Sequence, residues 1–185
     1  MENTVLVLDF DGVVAKLNVD WPKVYSRVSE VAGYRVTDLI TFWKNTYGTS
    51  LYDKANKIIE EYEMEAIEKS EIYDDVIEAL ELFKGRKYLA SMQSQKVLEK
   101  FLEEYGIRGY FKEVLGRDRF GSKRRQLIYI LEKEKGNKVY FIDDLQRNVD
   151  SCIDLGIECI IIRRYEGESL LQKVREIVAG HSIKG

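Results

Sequence analysis

A chain of 185 residues is long enough for one full hydrophobic core, or for a core with a small insertion, and too short for two large domains. With 45% hydrophobic residues, 33% charged residues and a net charge of -3, it has the make-up of a globular protein and not of a general nucleic-acid binder. No apolar run reaches the roughly 18 residues of a membrane helix, and Met1-Glu2-Asn3-Thr4 opens without a basic segment, so neither a membrane partner nor secretion is expected and a cytoplasmic location is.

The first predicted strand, Thr4 to Leu8, runs into LDFDGVV, which places Asp9 and Asp11 directly behind four apolar residues. Two positions along a strand point to one face at a spacing of about 7 Å, so the two carboxylates repel each other when both are ionised. Something must compensate them. Asp11-Gly12 between apolar residues is also a turn signal, so Gly12 is expected to turn the chain and Val13 to Val19 could form a short hairpin over the strand end.

From about Leu17 to Ile72 the pattern predicts three consecutive helices. The first carries Val24, Val28 and Val31 after Trp21-Pro22 and ends at Gly33; the second holds Ile40, Trp43 and Tyr47 and ends at Gly48. The third opens at Ser50 with Asp53 three residues on, as in a capping box, and presents Leu51, Ala55, Ile58, Ile59 and Tyr62. A helix from Asp74 to Lys84 follows.

Beyond it strands and helices alternate. The predicted elements are a strand Lys87 to Met92, a helix through Val97, Leu98, Phe101 and Leu102 that stops at Gly106, a short strand near Phe111 to Leu115 and a helix Ser122 to Lys135. Then come a strand Lys138 to Ile142, a helix Gln146 to Leu155, a strand Glu158 to Ile162 and a last helix ending at Gly180. Short apolar strands between amphipathic helices predict a mainly parallel sheet covered on both faces, an α/β fold. The expected division is an α/β core of residues 1–16 and 73–185 with an all-helical insertion at 17–72.

Cys152 and Cys159 fall in a predicted helix and a predicted strand and are expected to be unpaired small core residues in preference to a disulfide or a metal pair. The single histidine, His181, lies near the end, which leaves little from which to build Ser-His-Asp or His-rich zinc chemistry. Chemistry here runs on carboxylates and lysine.

Strand ends and helix starts supply four sets of candidates: Asp9 with Asp11, Ser91, Lys123, and Asp143 with Asp144. Each has an ordinary structural use, respectively a turn, a strand serine, a solvated lysine and a helix cap. Ser94, Gln93 and Gln95 compete with Ser91. The stretch GRDRFGSKRR sets Arg117, Arg119, Lys123, Arg124 and Arg125 against Asp118, as a solvated face or a lure for an anionic substrate. Three or four carboxylates converging at one sheet edge require a cation, and hard oxygen ligands without histidine favour Mg²⁺.

DFDGVV, then Ser91, Lys123 and the Phe141-Ile142-Asp143-Asp144 segment, in that order and each beside a core strand, resembles the haloacid dehalogenase-like (HAD) hydrolase superfamily. The resemblance implies a Rossmann-like three-layer α/β/α core, with the helical segment as a cap that closes over the site and selects substrate. It implies Asp9 as the nucleophile that forms an aspartyl-phosphate, and Asp11 as acid and then base. Ser91 and Lys123 would hold the transferring phosphoryl group. Mg²⁺ would be bound by Asp9, the backbone carbonyl of Asp11 and Asp144, with Asp143 beside it or sharing the role. A carboxylate at Asp11 marks the phosphate branch of the family, since members that dehalogenate lack it.

Three positions depart from the pattern: Met92-Gln93 follows Ser91 where asparagine is common, no proline follows Lys123, and Asn148 stands where many relatives have an acid. The expected function is a Mg²⁺-dependent phosphatase acting on a small phosphorylated metabolite, of the phosphoglycolate, sugar phosphate or nucleotide class, as a monomer or homodimer. The alternatives are a phosphomutase of the same family and a non-enzymatic phospho-accepting signalling domain. The cap aromatics Trp21, Tyr25, Trp43 and Tyr47 could line the cavity, although aromatic residues at helical spacing more commonly pack internally.

Overall fold

All five residues of β1 (Thr4–Leu8) are buried in the computed structural model, which describes residues 3–182 and side chains up to residue 180. The side chain of His181 lies outside that range. Val5 and Val7 pack with Leu127, Ile130 and Phe141 on one side, while Leu6 and Leu8 pack with Leu80, Leu98 and Phe101 on the other. A strand covered on both faces needs an unbroken apolar run, which is why the run is there.

At Gly12 the chain turns with φ +78°, and the short β2 (Ala15–Lys16) follows. Its partner is not a neighbouring hairpin strand as the Asp-Gly signal suggested. Instead β2 pairs antiparallel with β3 (Glu71–Ile72), which lies more than fifty residues further along the chain. The reason is that Val13 and Val14 are drawn into the core, leaving only two residues free to pair.

Between the two ribbon strands lie α1 (Trp21–Ala32), α2 (Leu39–Thr46) and α3 (Ser50–Ile67). Asp20 caps α1, Pro22 occupies its first turn, and Gly33 closes it at φ +75°. The cap of α3 is Thr49, which accepts the Tyr52 N–H, so Ser50 is the first helical residue and the expected cap is displaced by one position. Val24, Val28, Phe42, Trp43, Tyr52, Ala55 and Ile59 give these helices a core of their own. Val31 is exposed.

The remaining elements are α4 (Val76–Leu82), β4 (Arg86–Ala90), α5 (Gln95–Glu104), β5 (Glu113–Leu115), α6 (Lys123–Lys133), β6 (Lys138–Asp143), α7 (Gln146–Asp150), β7 (Glu158–Ile161) and α8 (Leu170–Ser182). The main sheet has the order β5-β4-β1-β6-β7, and each neighbouring pair is parallel, as in a Rossmann-like α/β fold. The expected helix from Gln146 to Leu155 is broken after Asp150, and residues 153–155 form one 3-10 turn.

That break turns Cys152 towards β7. Cys152 and Cys159 are joined as a disulfide with their α-carbons 6.4 Å apart, which corrects the expectation of two unpaired residues. The seven-residue step from a helix end back to the adjoining strand brings the two positions together.

Candidate active site

The chain leaves β1 for β4 and β5 on one side of the sheet and returns to β6 and β7 on the other, so the strand order reverses between β1 and β6. Ligands of open parallel sheets bind outside the carboxyl ends at such a point. Asp9 follows β1 there, Asp143 ends β6, and Asp144 comes next.

Asp9 continues the extended path, its N–H donating to the Ile142 carbonyl at 3.0 Å. It therefore shares the parity of Val5 and Val7 and emerges on the face covered by α6. Lys123 begins α6, with Ser122 as its cap. Its ammonium donates to Asp9 Oδ1 and, at 2.5 Å, to the Ala90 carbonyl, and lies 3.4 Å from Asp143 Oδ2. Burial opposes the lysine charge, but Asp9 and Asp143 outweigh it and hold the ammonium above its ordinary pKa.

Asp143 is fixed from three directions. Its Oδ1 accepts the Leu145 N–H at 2.8 Å, its Oδ2 accepts Nδ2 of Asn148 at 3.0 Å, and Lys123 faces it. It thus orders the turn into α7 as well as the site, so the capping use and the site use coincide. Burial and the charge of Asp9 raise its pKa against the pull of Lys123.

Asp144 is pushed up to about 7 by burial and by the charges of Asp9, Asp143 and Asp11. Its carboxylate occupies the room that Gly12 leaves free: a Cβ added at Gly12 would collide with Asp144 Oδ2. Asp11 accepts the Leu17 N–H at 2.9 Å and is raised to about 6, chiefly by burial, with Asp9 and Glu63 adding to it and the Leu17 N–H opposing.

One oxygen each from Asp9, Asp143 and Asp144 lies within 4.8 Å of the others. Four carboxylates around a single lysine leave excess negative charge, and hard oxygen donors at this spacing suit a small divalent cation. The donor set therefore fits such an ion.

Above these groups is a cavity of 480 Å³, walled on one side by Asp9, Asp11, Lys123, Asp144 and Asn148 and on the other by helices α1 to α3. Trp21, Tyr25 and Trp43 line it. Tyr47 does not, because its hydroxyl donates to the Arg119 carbonyl and its ring packs on Tyr52 and Gly121. Ser91 is also absent from the wall: it directly follows β4 and is fully buried, its hydroxyl against Gln93 Oε1, and Gln93 faces the cavity instead.

A family model for haloacid dehalogenase-like hydrolases matches residues 6–162. The chain belongs to this family. As a hydrolase of this kind it shares its fold with several solved structures. One is a hydrolase from Streptococcus pneumoniae TIGR4, with 18% identity, TM-score 0.61, and coverage of 97% of this chain and 100% of that one. Another is a HAD-superfamily hydrolase from Ehrlichia chaffeensis (16% identity, TM-score 0.58, 97% and 98% covered), and a third is described as a predicted phosphoglycolate phosphatase from Haemophilus somnus 129PT (16%, 0.56, 83% and 82%). No curated protein matches the sequence significantly.

The basic stretch of this hydrolase is a solvated face only in part: Arg119 and Arg125 are exposed, whereas Arg117 and Lys123 are buried. Arg117 is 1% exposed and forms a two-pronged ion pair with Glu63 of α3, at 2.6 and 2.9 Å. Arg124 is paired with Asp154, and Arg125 lies over the Tyr47 ring. Further contacts tie the helical segment to the core: Tyr52 to the Arg117 carbonyl, Asn56 to Asp118, Glu60 to Ser94, and Asp38 to Arg147 of α7. Gln126, which donates to the Ser91 and Leu115 carbonyls at 2.7 and 3.0 Å, holds the end of β4 in place.

Sequence reasoning passed over Glu63, yet a signal was present. In the stripe Tyr52, Ala55, Ile59, Glu63, Ala66, the acid occupies a core position of α3, and a buried carboxylate needs a partner.

Proposed function

We propose that the protein is a Mg²⁺-dependent phosphatase that hydrolyses small phosphomonoesters through an aspartyl-phosphate on Asp9. The observation that carries this is the placement of Asp9 at the strand reversal, against Lys123 and beside Asp144, with Asp11 facing the same cavity. The Asp9 carboxylate attacks phosphorus, the P–O bond to the alcohol breaks, and the departing oxygen takes a proton from Asp11. Asp11 then accepts a proton from the water that attacks the acyl phosphate, which frees inorganic phosphate and restores Asp9. Lys123 offsets the negative charge throughout.

Asp9, Asp144 and the Asp11 carbonyl would hold Mg²⁺, with Asp143, whose oxygen lies within 4.8 Å of those of Asp9 and Asp144, beside the ion or sharing the role while also facing Lys123 and Asn148. When bound, the ion neutralises charge on the phosphoryl oxygens. Ser91, whose hydroxyl donates to Gln93 Oε1, would have to give up that bond to hold the phosphoryl group.

The test is phosphate release from a panel of phosphomonoesters, with and without Mg²⁺. Release is expected with the ion and its loss on adding a chelator; equal release in both conditions would remove the metal from the proposal. Asp11→Asn is expected to slow turnover about 10²- to 10⁴-fold, the range of a missing acid and base. Unchanged turnover would refute that role.

A third outcome concerns Gly12. Gly12→Ala forces a Cβ into Asp144 at a positive φ, so Mg²⁺ affinity measured by calorimetry is expected to fall about 10- to 100-fold. Retained affinity would show that Asp144 is not held there as a ligand.

A further inference from the structure

We propose that the alcohol part of the substrate is aromatic and uncharged, so that the protein takes phosphomonoesters bearing a flat ring and no second anionic group. The proposal rests on the phosphatase reading and adds the substrate class to it.

Two cations line the cavity, Lys123 and Arg117. Lys123 is held at the phosphoryl end by Asp9 and Asp143. Arg117, deeper in, has all five of its N–H groups engaged. Nε donates to Asn56 Oδ1 at 2.6 Å; Nη1 donates to Glu63 Oε1 at 2.6 Å and the Met92 carbonyl at 3.1 Å; Nη2 donates to Glu63 Oε2 at 2.9 Å and the Asn56 carbonyl at 3.4 Å. Its positive charge is matched by Glu63, and its face lies 5.0 Å from the centre of the Trp43 ring. A carboxylate or second phosphate on the substrate would find no donor in this guanidinium.

Such a group would find no free cation elsewhere among the described lining residues either: Asp11 and Asp144 lie on the core wall, and Glu63 across the cavity is already paired with Arg117. Burying an anion without a partner is among the costliest arrangements a site can have. This excludes carboxylate-bearing esters of the phosphoglycolate type and bisphosphates.

The rest of the wall decides between sugars and rings. Gln93 and Asn148 are polar, but Trp21, Tyr25 and Trp43, with Leu39, Ile40 and Ile59, make it mainly apolar and aromatic. A polyhydroxylated sugar would leave most of its hydroxyls facing hydrocarbon, whereas a ring gains both burial and contact with the aromatic side chains. A cavity of 480 Å³ has room for one ring system beyond the phosphoryl group.

The test uses non-hydrolysable phosphonates titrated calorimetrically into the full chain with Mg²⁺, so that binding is read without turnover. The probes are 3-phenylpropylphosphonate, 4-phosphonobutyrate and the phosphonate analogue of a hexose 6-phosphate. The phenyl compound is expected to bind at least about tenfold more tightly than either of the others, a difference of about 1.4 kcal/mol. Equal or reversed affinities, or no binding by any probe, would overturn the proposal. Phosphate release from 2-phenylethyl phosphate is measured alongside. Tight phenyl binding without release from this or any other ester would sink the phosphatase reading and leave the pocket preference standing. In Glu63→Gln, checked for folding by circular dichroism, Arg117 loses its counter-charge and 4-phosphonobutyrate is expected to gain at least about fivefold in affinity relative to the phenyl probe. An unchanged ratio in the folded variant would remove the ion pair from the explanation, and a variant that fails to fold leaves the native ratio to decide.

Discussion

Asp9→Asn is expected to keep the fold and to lower Mg²⁺-dependent phosphate release at least about 10³-fold, because an amide of the same shape cannot attack phosphorus. The fold should survive since Asn still accepts from Lys123 at Oδ1, and Lys123 keeps Asp143 and the Ala90 carbonyl as partners. Release at the parental rate from the purified variant would eliminate Asp9 as nucleophile. Product analysis with the parent protein and a labelled sugar phosphate separates the two rival activities. A phosphomutase would isomerise a sugar phosphate without free phosphate, and a phospho-accepting signalling domain would retain label on Asp9 without turnover.

Removing Arg117 is expected to have the largest effect on stability. Its guanidinium and the Glu63 carboxylate are both buried, and breaking such a pair from one side leaves an uncompensated charge at a cost of about 3–5 kcal/mol. For a chain of this size Arg117→Met should lower the melting temperature by roughly 6–20 °C. The double substitution Arg117→Met with Glu63→Leu should recover most of the loss, since an apolar pair of similar volume needs no counter-charge. Thermal unfolding of the three proteins checks this, and a melting temperature within about 2 °C of the parent for Arg117→Met would show that the pair carries no stability.

The pair also accounts for how the helical segment sits on the core. Glu63 comes from α3 and Arg117 from the turn after β5, and the contacts of Tyr52, Asn56 and Glu60 surround them. Together they hold the aromatic wall of α1 and α2 over Asp9 and Asp11. Substrate choice and attachment of the helices thus depend on the same buried charges.

Local pattern was sufficient where a residue's neighbours in sequence decide its conformation. The apolar run of β1, the helical spacing in α1 to α3, the glycine stop at Gly33 and the order of Asp9, Ser91, Lys123 and Asp143-Asp144 could all be read directly. Each depends on the side-chain period of a strand or helix, or on the freedom of glycine at positive φ. The gathering of Asp9, Lys123, Asp143 and Asp144 could also be inferred, because parallel strands place their carboxyl ends at one edge.

Tertiary structure decided what depends on partners far along the chain. The ribbon strand β2 found β3 more than fifty residues away, Arg117 left the expected solvated face for Glu63, and the helix after Gln146 stopped early so that Cys152 met Cys159. Ser91 kept its place at the end of β4 but lost its access to Gln93. In each case sequence period determined which face of an element is polar or apolar, and the packing of distant faces determined which groups met and which charges were cancelled.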